Sequence, residues 1–118
     1  LKERLAALAL EWRKYMNIPE TIKIGVQVGD VRDFSAAAGH GDDGLAFTMS
    51  NPENTEFELC FDPRIEGRDD FEQIMVHELV HVWSFSQCGE DPRENMEAVT
   101  DELARMIIER KAHEQNTR

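Results

Sequence analysis

The stretch DFEQIMVHELVHVWSFSQC, residues 70–88, decides how this chain is read. Phe71, Ile74, Met75, Val76, Leu79, Val80, Val82, Trp83 and Phe85 recur at helical spacing but cover more than one face. A helix of that kind is buried on several sides, between a sheet and another helix. Asp69 or Asp70 can cap its start, Glu72 lies in its first turn, and Gly89 suits the position just past its end. Three polar residues interrupt the apolar run: His77, Glu78 and His81.

Outward from that helix, the chain offers two more helices and three strands. Leu1, Leu5, Leu8, Trp12 and Tyr15 form the apolar stripe of an N-terminal helix, stopped by Asn17-Ile18-Pro19. Ile22, Ile24, Val26 and Val28 alternate with polar or small residues, as a strand does. Leu45, Phe47 and Met49 alternate in a second strand, and Phe57, Leu59 and Phe61 in a third. Asn51-Pro52-Glu53-Asn54 joins these two as a hairpin. Residues 30–44, rich in Gly and Asp, read as a long loop able to rim a site. Past the central helix, Asp91-Pro92-Arg93-Glu94 has the order N-cap, N1 and N3 of a restarted helix. That last helix is expected over about 92–114, with Met96, Val99, Leu103, Met106, Ile107 and Arg110 facing inward. The expected class is α+β. A small, mostly antiparallel sheet of about three strands packs on an N-terminal helix, a central helix over about 70–88 and a C-terminal helix.

At 118 residues the chain is one domain, 1–118, large enough to bury a core without disulfide staples. Its formal net charge of −11 argues against nucleic acid, which needs a basic face, and against anionic membrane surfaces. No apolar run approaches the length of a membrane-spanning helix. Cys60 and Cys88 form no disulfide framework, which points to a reducing, cytoplasmic setting. The chain starts at Leu1 and not at a methionine, so the lack of a signal peptide argues little about secretion.

His77-Glu78-Leu79-Val80-His81 matches H-E-x-x-H on a helix. Residues four apart share a face, so two imidazoles can reach one Zn2+, and the glutamate between them can act as general base on a zinc-bound water. A shuffled chain of this composition carries the pattern with a probability of roughly 0.02, so context has to support it. The apolar helix does: two histidines and a glutamate are costly to bury unless something pairs with them. A catalytic zinc needs a third protein ligand. Ser84 and Gln87 stand where a glycine and histidine extension would lie, leaving Glu90, Glu94, Glu97, Asp101 and His113. Glu97 ranks first, because Asp101 one turn on can orient a ligating imidazole. Glu94, occupied by its capping position, and Asp101 follow. His113 lies roughly 24 Å from Glu97 along the helix and reads as a surface residue.

The pair His77-Glu78-Leu79-Val80-His81 and Glu97-Ala98-Val99-Thr100-Asp101 resembles the gluzincin metallopeptidases, which join an H-E-x-x-H helix to a downstream E-x-x-x-D helix. The short gap resembles minimal single-domain forms such as the minigluzincins. Residues 97–104 also resemble the ImmA/IrrE family. The resemblance implies a zincin-like fold, one zinc ion held by His77, His81 and Glu97, Glu78 as the base, Asp101 behind a ligand, and a peptide or protein substrate. The hairpin Leu45–Phe61 would supply the edge strand of such a cleft. For the oxyanion, the chain offers only His40 and Tyr15, each read first as structural or solvated. Alternatives are a zinc-stabilised interaction module without turnover, a prophage or stress regulator that cleaves a repressor, and an acidic interaction protein in which the motif is accidental.

Overall fold

The computed structural model describes residues 1–30, 45–88 and 93–116, with the side chains of 88, 93–99 and 116 outside that description. Element order is α1 (Lys2–Tyr15), β1 (Lys23–Val28), β2 (Ala46–Ser50), β3 (Glu56–Phe61), a 3-10 turn (Pro63–Ile65), α2 (Phe71–Cys88) and α3 (Arg93–Asn116). The class is α+β, and no described helix is long and apolar enough to cross a membrane.

Local chemistry sets the element ends. Past α1, Asn17 takes a left-handed φ of 58°, and the Ile18 amide reaches back to the Arg13 carbonyl at 3.0 Å, closing the helix under the buried Ile18 side chain. In the hairpin, the Asn51 side-chain oxygen accepts from the amides of Thr55 and Glu56, at 2.9 and 3.1 Å, and Asn54 is left-handed. Asp62 caps the 3-10 turn by accepting from the Arg64 amide. Asp70 precedes α2 with its carbonyl on the Ile74 amide, but its carboxylate pairs with Arg68. That bond holds the Asp70 carboxyl below its ordinary range.

The strand order is β1-β3-β2. The β2–β3 hairpin is antiparallel as expected, but β1 runs parallel to β3, so the sheet is mixed and not mostly antiparallel. The reason lies in β3. Phe57, Leu59, Cys60 and Phe61 are all buried, a near-continuous apolar run that suits the central position with both faces covered. β1 therefore pairs with β3, and the long connection through β2 serves as the crossover that a parallel pair needs.

The register aligns Val26, Leu59 and Thr48 in one row across the sheet. Residues opposite one another on paired strands point to the same face. Leu59 belongs to the main core, together with Leu5, Trp12, Val26, Phe57, Met75, Val76 and Leu79. Phe47, Cys60 and Met49 form a separate apolar cluster. The alternation of Phe47 and Met49 is thus real, but the row of β2 that faces the helices is Ala46, Thr48 and Ser50.

α2 packs against α1, α3 and β2, and every residue from Met75 to Val82 except His77 is buried. The Trp12 indole donates to Glu72 at 2.7 Å, tying α1 to the start of α2. On α3 the buried line differs from the expected stripe. Thr100 and Ala104 are buried and Ile107 and Ile108 half-buried, whereas Leu103, Met106 and Arg110 are exposed. Met96 and Val99 lie outside the described side chains. Small residues at Thr100 and Ala104 let α3 lie close along one flank of α2, which leaves its larger apolar residues at the rim. Farther along, the Lys111 ammonium sits 4.2 Å from the Trp12 ring and pairs with Glu11.

Candidate metal centre

His77, Glu78 and His81 lie in the middle of α2, on the part of the helix covered by β2 and α3. Each offers one ligand atom, and those three atoms lie within 4.8 Å of one another. Helical spacing brings the imidazole centroids to 5.0 Å, with the rings inclined by 73°. His81 and Glu78 are buried, and His77 is half-buried at the mouth of the cluster. The expected trio is therefore together, in a largely water-excluded setting where electrostatic interactions are strong.

His77 Nδ1 faces Asp101 Oδ1 of α3 at 3.4 Å, and Gln73 Nε2 approaches the same oxygen at 3.3 Å. Asp101 thus stands beside one histidine, on the side of its Nδ1, where a carboxylate can orient an imidazole. Gln73 was not singled out from sequence. It sits four residues before His77 on the same face of α2, and that spacing is a readable signal. Glu97 lies in α3 one turn before Asp101, and its side chain is outside the described residues, as is that of Glu94. Glu90 and His40 also fall outside them. His113 is exposed in the last turn of α3, away from the cluster.

The Glu78 carboxylate has a partner that the sequence did not announce. Thr48 Oγ1, buried on β2, lies 2.7 Å from Glu78 Oε1. An ionised carboxylate can only accept, so the hydroxyl donates. Alternation in β2 pointed to the row of Leu45, Phe47 and Met49, whereas the pairing with Leu59 turns Thr48 towards α2.

Tyr15 is elsewhere. Its hydroxyl bonds to Glu114, and burial, followed by that carboxylate, raises its pKa. Glu114 lies roughly 20 Å beyond Asp101 along α3. Tyr15 lines a groove of about 600 Å³ together with Val80, Trp83, Leu103, Ile107 and Arg110, and with neither histidine.

Two imidazoles and a carboxylate at this separation suit a borderline-soft divalent ion of the zinc type, whereas calcium and magnesium prefer all-oxygen sets. No known protein family, no curated protein and no solved structure matches the chain.

Proposed function

We propose that this chain is a small zinc-dependent peptide-bond hydrolase in which Glu78 is the general base. The observation that carries the reading is the buried cluster of His77, Glu78 and His81, backed by Asp101 behind His77. The cluster pairs ligand nitrogens with a carboxylate that has its own hydrogen bond, as a metal-assisted hydrolase requires.

His77 and His81 would hold the ion, with Glu97 as third protein ligand. Glu97 lies one turn before Asp101 in α3, and Asp101 already reaches His77. When bound, zinc supplies Lewis acidity that polarises a carbonyl and lowers the pKa of water. Glu78 takes the proton from the attacking water and delivers it to the leaving amine nitrogen as the C–N bond breaks. Asp101, 3.4 Å from His77 Nδ1, would orient that ring. Among the described residues β2 is an edge strand beside Glu78, the position from which a sheet takes up an extended peptide by main-chain hydrogen bonds. The net charge of −11 favours peptides that are not strongly acidic.

Glu78→Gln tests this reading. The variant should keep the wild-type metal content and melting temperature and lose cleavage of a peptide library, read by mass spectrometry, by at least about 100-fold. Equal cleavage by wild type and variant would contradict the role of Glu78. Metal bound by both proteins with cleavage by neither would assign the chain to the zinc-stabilised interaction modules.

A further inference from the structure

We infer that Thr48 is a positioning residue for Glu78, whose hydroxyl locks one carboxylate oxygen and turns the other to the reacting water. The inference rests on the reading of Glu78 as the base and deepens it.

The terminal torsion of a glutamate is broad, so the rotamer alone does not fix where its two oxygens point. In a buried site that freedom matters, because a base displaced by about 1 Å can lose about 100-fold in rate. Glu78 is 6% exposed, and among the described residues its side-chain hydrogen bond comes from Thr48, 2.7 Å from Oε1. The donor is itself stiff. Thr48 is β-branched, it is 3% exposed, and its backbone is held in the β2–β3 ladder opposite Leu59. The hydroxyl thus comes from the sheet and the carboxylate from α2, and their bond ties the base to the strand beside which substrate would lie.

The sequence of β2 fits this use. Its helix-facing row is Ala46, Thr48 and Ser50, while the equivalent rows of β1 and β3 are Ile24, Val26, Val28 and Phe57, Leu59, Phe61. Among these nine positions, Thr48 is the buried polar one. A hydroxyl that merely satisfied a buried carboxylate would contribute to stability alone. A positioning hydroxyl also sets turnover, and the two are separable.

The test compares wild type, Thr48→Val, Thr48→Ser and Glu78→Gln, each with metal content, melting temperature, kcat and KM. Valine keeps the shape of threonine and removes the donor, whereas serine keeps the donor. The expected result is a fall in kcat of about 10- to 100-fold in Thr48→Val, with KM and zinc content within about twofold, and recovery in Thr48→Ser. A second readout uses the metal-free protein and no activity. The NMR signal of the Glu78 carboxylate carbon should move in Thr48→Val and stay near its wild-type position in Thr48→Ser. Wild-type kcat in Thr48→Val, or a carboxylate signal unmoved by it, overturns the inference while Glu78→Gln still abolishes turnover. A loss of kcat in Thr48→Val that only tracks lost zinc or lost folding also overturns it, leaving a structural hydroxyl. If Glu78→Gln cleaves as well as wild type, the reading of the base fails first and the positioning role fails with it.

Discussion

A carboxylate and two imidazoles inside an apolar helix are costly wherever they lack partners. In this chain Glu78 meets Thr48, His77 meets Asp101, and one nitrogen or oxygen atom of each of His77, Glu78 and His81 lies within 4.8 Å of the others. The spacing of His77, Glu78 and His81 was readable from the sequence because it is local, one helical turn with fixed geometry. Asp101 was expected from the E-x-x-x-D spacing of the following helix, and its approach to His77 is a contact between two helices that no local period encodes. Thr48 was not, because its role depends on which face of β2 meets α2, and a strand turned over presents Phe47 and Met49 instead. Cys60 gives a residue-scale prediction. Burial first, with the Glu58 and Glu78 carboxylates adding, pushes its thiol up to about 11. At neutral pH it is therefore protonated as well as inaccessible, and the thiolate is the reactive form. In a Cys88→Ser background, a thiol-reactive dye should label no cysteine in the native protein and one after unfolding. Fast native labelling would contradict the placement of Cys60 in the core.

At the scale of elements, the three helices and three strands were legible from periodicity, capping residues and turn chemistry. The apolar wrap of α2 correctly implied cover on several sides. Two features were not legible. β1 pairs parallel with β3 because the doubly buried β3 takes the centre, and strand order is a long-range choice that alternation does not encode. The buried line of α3 is set by how closely α2 approaches, and that approach selects the small residues Thr100 and Ala104 over Leu103 and Met106. The two stripes predict different mutants. Ala104→Leu should overpack the α2–α3 contact and cost about 1–3 kcal/mol. Leu103→Ala should change stability by no more than about 0.5–1 kcal/mol, since its side chain is 42% exposed. Denaturant unfolding of both variants checks this, and the reverse order would mean that α3 is rotated from its described position.

For the whole molecule, a domain this small commits much of its core to one helix. α1, α3 and the sheet all pack on α2, so the helix that organises the core also carries His77, Glu78 and His81. Among the described residues the fold gives the cluster an edge strand, β2, and an acid-bearing helix, α3. It does so with Thr48 and Asp101, two side chains distant from α2 in sequence. The central claim is that His77, His81 and Glu97 hold one zinc ion beside Glu78. Metal analysis of the purified wild type beside His81→Ala and Glu97→Ala, after dialysis against a weak chelator, tests it most directly. The account predicts one zinc per wild-type chain and loss of that zinc in both variants, with helical content retained. A wild type without stoichiometric metal would contradict the claim, and so would zinc retained in full by His81→Ala or by Glu97→Ala.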